Sequence, residues 1–243
     1  MKQYNLTNMR EHWDEQAEEY AKGREFSGVD ERVIQLIELK PKNRLLEIGV
    51  GSGITAEKIL DKCDNINYFG LDLSVNFLKA TKNRLRDNIS YISADAAYPP
   101  FKAAAFDLIL EMNSIHHFPK DIIPKVILDI AGLLKTGGRY ISVEDWGAPV
   151  KDEREKLAHE MQKNRSSVMD GLEYHPTDEQ WIEHFKNSSL KVIHLEHIVR
   201  PLNLNYYKNE RDDLLQQRVR KLEELWEGEQ PESTMSIFIC EKL

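Results

Sequence analysis

The sequence predicts an α/β fold, a doubly wound and mostly parallel sheet with helices on both faces. Three observations carry that expectation. Apolar runs of strand length alternate along the chain with helix-like segments, the pattern of parallel strands joined by crossover helices. The runs are apolar on successive residues, as strands buried on both faces are. Three glycines, Gly49, Gly51 and Gly53, alternate between the first apolar run and the helix-like run after it, where the chain must turn tightly.

The elements follow in order. Asn8 and Glu11 have capping-box spacing and mark a first helix ending near Gly23. A second helix is expected after Asp30, carrying Val33, Ile34, Ile37 and Leu39 as far as Pro41. NRLLEIG is the first strand, ITAEKILDK a helix and INYFGLDL the second strand. Ser74 caps the helix VNFLKATKNRL. ISYIS is the third strand and FDLILEMN the fourth, followed by a helix around DIIPKVILDIAGLL. Gly137 and Gly138 turn the chain into RYISVEDW, the fifth strand. Right-handed crossovers of this kind gather ligands at the carboxyl ends of the strands.

After Trp146 the texture changes. Lys151 to Asn164 is charged and helix-like, and Thr177 with Gln180 opens another helix with capping-box spacing. LKVIHLEHIV is a sixth strand ended by Pro201, and TMSIFICEKL is the last. Between them Leu215, Val219, Leu222 and Trp226 step by helical intervals along one apolar face, stopped by Gly228 and Pro231. The organisation expected is one domain over 1–243: N-terminal helices 1–42, core 43–146, cap helices 151–188, strand six 189–200, a helical insertion 201–233 and a last strand 234–243.

Composition narrows the function classes. The 243 residues are 41% hydrophobic and 30% charged, with a formal net charge of −8. That charge argues against a nucleic-acid partner, whose phosphates need a basic surface. No apolar run has the length of a membrane span, and the first residues lack a signal-peptide core. Cys63 and Cys240 stand far apart and suggest neither a disulfide framework nor a metal cluster. The expectation is a cytoplasmic protein without membrane or nucleic-acid partners and without a bound metal.

The glycine-rich turn suits a nucleotide, because a helix N-terminus follows it. Its spacing, G-x-G-x-G, is not the dinucleotide fingerprint, and no lysine follows the third glycine as in a phosphate loop. A tight turn without a ligand is the plainer reading of the glycines alone. Glu47 precedes the turn within the strand. Asp72 lies 25 residues later at the end of the second strand, where a carboxylate can accept two ribose hydroxyls. Asp95 follows the third strand, placed to take an adenine amino group. Together these features point to one adenosine laid across three consecutive strand ends.

At this point the chain resembles the class I S-adenosylmethionine-dependent methyltransferases, in their small-molecule branch with a methyltransferase type 11-like core. LLEIGVGSG is similar to that family's first motif, GLDLS to its ribose-binding acid, and ISADAAYPPFKAAAFDLIL to its adenine loop and fourth strand. NSIHHF resembles its turn after strand four, and AGLLKTGGRYIS its turn into strand five. The resemblance implies a Rossmann-like sheet of seven strands with a helical cap, and S-adenosylmethionine as cofactor. It implies that Glu47 orders the glycine loop beside the cofactor's methionine moiety. The cofactor contacts it implies are Glu47, Gly49, Gly51, Gly53, Asp72, Leu73, Asp95, Ala96 and Glu111, with Tyr20 contributed from the N-terminal helix.

Methyl transfer from a sulfonium is an in-line displacement that chiefly needs alignment and exclusion of water. His116 is the candidate general base, because its ordinary pKa lies near neutrality. The plainer reading is that the His116–His117 pair shapes the turn. Glu144 and Asp145 stand beside it and could bind a cationic acceptor or a divalent ion, though a lone acidic pair is usually solvated. Trp13, Tyr174, His175, Trp181, Tyr206 and Tyr207 read as core aromatics rather than site residues. The function expected is methyl transfer to a small-molecule acceptor. The alternatives are a non-catalytic S-adenosylmethionine-binding or regulatory protein and, further off, a NAD-dependent oxidoreductase. The segments Lys151–Tyr174 and Pro201–Ser233 are expected to pack with the N-terminal helix as a cap over the strand ends. A homodimer interface is the other use of their apolar stripe.

Overall fold

The computed structural model describes residues 5–63, 65–87, 89–145, 147–168, 174–202, 204 and 213–243. Trp146, Tyr206 and Tyr207 lie outside the described residues. Seven strands form one sheet in the order β3-β2-β1-β4-β5-β7-β6. They are β1 (Arg44–Ile48), β2 (Asn67–Asp72), β3 (Ser90–Ser93), β4 (Phe106–Met112), β5 (Leu134–Asp145), β6 (Leu190–Pro201) and β7 (Glu232–Lys242). β1 to β5 pair in parallel, and β7 runs antiparallel between β5 and β6. The order reverses between β1 and β4, which makes the crevice beyond their carboxyl ends the switch point of the sheet.

Side-chain alternation sends each strand into two cores. Leu46, Ile48, Ile109 and Tyr140 pack with α5 (Ile123–Leu133) and α7 (Asp178–Asn187), where Trp181 and Phe185 are fully buried. Leu45, Tyr68, Leu108, Leu110 and Ile141 face the other way, against α2 (Gly28–Leu36), α3 (Ile54–Lys62) and α4 (Val75–Leu85). Each large apolar side chain so buried stabilises the fold by about 1.5–3 kcal/mol.

Ser74 and Thr177 cap their helices as expected. Two starts differ from expectation. α1 (Leu6–Gly23) begins earlier, because Asn5 rather than Asn8 accepts from the first free N–H groups, those of Thr7 and Asn8. α2 starts at Gly28 because Ser27 and Asp30 form a capping box, with Asp30 at its third position rather than before the helix, and the helix stops at Leu36. Gly137 and Gly138 lie inside β5: the pairing with β4 jumps from Phe106–Leu134 to Leu108–Arg139, so the expected turn is an irregularity in one strand.

A third apolar cluster lies outside the sheet. Leu157, Ala158 and Met161 of α6 (Glu153–Val168) pack against Leu215, Val219 and Leu222 of α8 (Asp213–Leu225). The stripe is therefore covered within the chain. Glu155 accepts from Thr234 Oγ1 and ties α6 to the start of β7. α1 does not share this cluster: it lies along α4, where Asp14 Oδ1 accepts from Ser74 Oγ (2.6 Å) and Asn76 N (3.0 Å).

Candidate functional site

Strand parity builds the site. In the paired register Glu47 stands opposite Gly70, so Glu47, Tyr68 and Asp72 project from the same face of the sheet. Gly49, Gly51 and Gly53 then turn the chain into α3 with φ of +70°, +54° and +75°. A side chain at Gly49 would meet Ser114 Oγ at 2.0 Å. At Gly51 a Cβ would find only the Gly49 carbonyl at 3.8 Å, so this residue leaves the approach to the loop open. A small cavity of about 50 Å³ lies there, lined by Tyr20, Arg24, Glu47, the stretch 49–52, Ile54, Thr55 and Met112.

The loop is ordered by neighbours other than Glu47. Asp72 Oδ2 accepts from Gly51 N (2.9 Å), Thr81 Oγ1 donates to the Gly51 carbonyl (2.6 Å) and Arg84 Nε to the Ser52 carbonyl (3.0 Å). The Glu47 carboxyl instead accepts from Tyr68 Oη at 2.5 Å. Parity puts Glu47 and Tyr68 on one face of the sheet, which brings the two side chains together.

Burial dominates the electrostatics. It raises Glu47 to about 8. The Tyr68 hydrogen bond opposes the rise, and the charges of Asp30 and Asp72 add to it. Burial also lifts Asp72 to about 6, against the backbone hydrogen bonds from Gly51 and Ser74. Each Asp72 oxygen accepts one backbone N–H, Gly51 on Oδ2 and Ser74 on Oδ1, and a carboxylate oxygen has two lone pairs. Asp95, buried after β3, closes its own turn by accepting from Ala97 N (2.8 Å). Leu73 is half-buried beside Asp72, and Ala96 packs into the core.

Arg24 was not anticipated. It follows the end of α1, donates from Nη2 to Asp30 Oδ1 (2.5 Å), and with Tyr20 forms the wall of the cavity contributed from the N-terminal segment. Asp30 in turn accepts from Thr55 Oγ1 (2.7 Å). A lone arginine after a helix end carries no spacing signal. Only the polar cluster R-E-F-S-G-V-D, too charged for a plain linker, hinted at a structured junction.

Glu111 is not brought into this cleft. It pairs in register with Ile48, one residue out of step with Glu47, and so projects from the opposite face. Its oxygens accept from Ser114 N (2.5 Å), Ile115 N (3.2 Å) and Ser142 Oγ (2.9 Å), and it is fully buried. Its side chain supports the turn after β4. That turn carries His116, whose Nδ1 lies 2.6 Å from Glu144 Oε2. Glu144 is also fully buried. Burial and the neighbouring carboxyl, Glu144 for Glu111 and Asp145 for Glu144, push both well above the usual range. Asp145 pairs with Arg200 at 2.7 Å. The rings of His117, His116 and His175 lie in sequence, and Trp13 of α1 packs on His117 at 4.6 Å between centroids. The two strand-end regions therefore carry different apparatus: a glycine loop with acids around a cleft, and a histidine bound to a buried acid.

Comparison with known proteins agrees with this geometry. Residues 45–138 match the family model described as a methyltransferase domain. The 18S rRNA (guanine(1575)-N(7))-methyltransferase of Saccharomyces cerevisiae is 25% identical over 46% of this chain and 43% of its own. Phosphoethanolamine N-methyltransferase 2 of Caenorhabditis elegans is 31% identical over 43% of this chain and 24% of its own. The chain thus spans less than half the length of these curated relatives. The solved YcgJ structure from Bacillus subtilis superposes with a TM-score of 0.67 at 18% identity, covering 88% of this chain and 97% of that one, a likeness of fold. Residues 45–138 of this chain thus carry a methyltransferase domain, set on the Rossmann-like fold that the solved structure shares.

Proposed function

We propose that this chain transfers a methyl group from S-adenosylmethionine to a small-molecule acceptor. The observation that carries the reading is the pair of buried carboxyls at the glycine loop, Glu47 and Asp72, with the buried Asp95 at the end of β3, which pairs with β2. That donor set fits the cofactor. Among the described residues the loop is bordered by the Glu47 carboxyl and by no lysine, which suits a ligand with an ammonium better than a pyrophosphate. Glu47 and Arg24 would hold the amino-acid end, Asp72 the ribose and Asp95 the adenine. When bound, S-adenosylmethionine supplies an electrophilic methyl on a positively charged sulfur. His116 takes the acceptor's proton where the acceptor has one to lose, and Glu144, bound at Nδ1, orients its ring.

A small acceptor is favoured by the net charge of −8 and by the burial of His116 and Glu144, which sit beneath the surface a macromolecule would touch. An RNA acceptor is the second reading, because one relative methylates rRNA. Incubation with isotopically labelled S-adenosylmethionine, a metabolite extract and, separately, total RNA tests both. A labelled small product supports the proposal, label in RNA supports the second reading, and cofactor binding without any transfer supports a non-catalytic binder.

A further inference from the structure

The cofactor cleft holds a pair that the methyl-transfer reading does not explain. Glu47 lines the cavity but is only 3% exposed, and Tyr68, 2% exposed, donates to it from the neighbouring strand at 2.5 Å. The two side chains share a face, with Gly70 between Tyr68 and Asp72 and its space filled by Val50 and Ile89. Other charged and titratable groups reach the carboxyl from every element packed around it. Asp72 faces it from β2 and Asp30 from α2. Arg24 stands at the α1–α2 junction and Tyr20 on α1. Arg24 does little to neutralise Glu47, because its guanidinium is already committed to Asp30. Among the described residues this buried carboxyl, with acids around it and one hydroxyl donor, has no salt-bridge partner.

We propose that Glu47, held by Tyr68, is a charge-exchange site: it surrenders a proton to solvent as the ammonium group of the cofactor enters the cavity. The step breaks the carboxyl O–H bond and puts the ligand's N–H donors in its place. The net charge of the site stays constant, so a buried negative charge never stands alone. Tyr68 sets how readily the exchange runs, because its hydrogen bond favours the ionised form. The same exchange discriminates among ligands. A ligand that lacks the ammonium leaves Glu47 protonated and gains nothing from it.

The inference rests on the cofactor reading above, and calorimetry separates the two. The full chain is titrated at pH 7 with S-adenosylmethionine, S-adenosylhomocysteine and 5′-methylthioadenosine, each in buffers of low and high ionisation enthalpy. A carboxyl raised to about 8 is roughly nine-tenths protonated at pH 7. Most of one proton should therefore be released with the first two ligands and none with methylthioadenosine, which has no ammonium. Affinity for the first two should rise up to tenfold per pH unit and flatten above about pH 8. Glu47→Gln should bind without proton release. Tyr68→Phe, which keeps the packing, should still release a proton but move the plateau to higher pH. Tight binding of S-adenosylmethionine without proton release overturns the inference and leaves the cofactor reading standing, as does equal release from Glu47→Gln. Failure of all three ligands to bind overturns both.

Discussion

The carboxyl edge of this sheet carries two pairs of buried acids, and they make opposite use of the same chemistry. Glu47 and Asp72 project from one face, where Glu47 lines the cavity at the glycine loop and Asp72 accepts from the loop's Gly51 N. Glu111 and Glu144 project from the other, against each other, Ser142 and the turn that carries His116. Burial lifts all four. What differs is what stands opposite. The second pair is walled by the protein and spends its hydrogen bonds on shaping a turn. The first keeps lone pairs facing a space that a ligand can enter. An acid at a strand end thus becomes a binding group or a structural one according to the parity of a single residue.

The comparison can be broken most directly at Glu47. Its folded pKa of about 8 lies above the ordinary value of 4.5, so the folded state holds the proton more tightly than the unfolded one. The stability this contributes is complete below pH 4.5 and is lost as pH rises toward 8, by on the order of 4 kcal/mol. Glu47→Gln should remove that slope in ligand-free protein, read as the difference between wild-type and variant urea midpoints at stepped pH. Parallel pH profiles for the two would show that Glu47 is not the buried proton site claimed here.

On the structural side, Glu111→Ala should cost about 3 kcal/mol of stability, because it strands the N–H groups of Ser114 and Ile115 in a dry environment. Cofactor affinity of the folded protein should change less than twofold. A large affinity loss with little destabilisation would return Glu111 to the cofactor site.

Asp72→Ala should do the reverse. It should weaken S-adenosylmethionine binding by about 2–3 kcal/mol, since two ribose hydroxyls lose a charged acceptor. Calorimetry reads it, and a folded variant that binds like wild type rules out the ribose assignment. The smallest effect is expected at Asp95→Ala, about 1 kcal/mol of affinity for one hydrogen bond to a neutral amine. Should that loss exceed the one at Asp72, the adenosine lies differently along the edge.

Much of this was legible in the sequence because it is local. Apolar runs announced the strands, the alternating glycines announced the turn into α3, and Ser74 and Thr177 announced their helices. What escaped needs distance or register. Glu111 stands next to the last residue of its strand as Glu47 does, and only the Ile48–Glu111 pairing shows that it faces away. Arg24 meets Asp30 through a bend between two helices, and Thr81 reaches Gly51 from thirty residues on. Asn5 and Ser27 capped their helices in place of plausible neighbours, because several residues nearby have cap chemistry and the backbone chooses one. The α6–α8 stripe was legible as apolar, but its partner was not, since helical periodicity shows that a face is buried and not against what.

β7 enters the sheet last in sequence yet lies between β5 and β6. While the chain is being synthesised, β5 has no neighbour on its outer side until residues beyond 232 have emerged, and β6 has no place to dock at all. The early strands β1 to β4 can assemble their crevice first, and α6 waits for Thr234 to anchor it. The half of the molecule that would receive the acceptor is therefore completed after the half that would hold the cofactor. A ribosome stalled before residue 232 would present a nearly finished nucleoside cleft beside an open, apolar sheet edge, the form most in need of a chaperone.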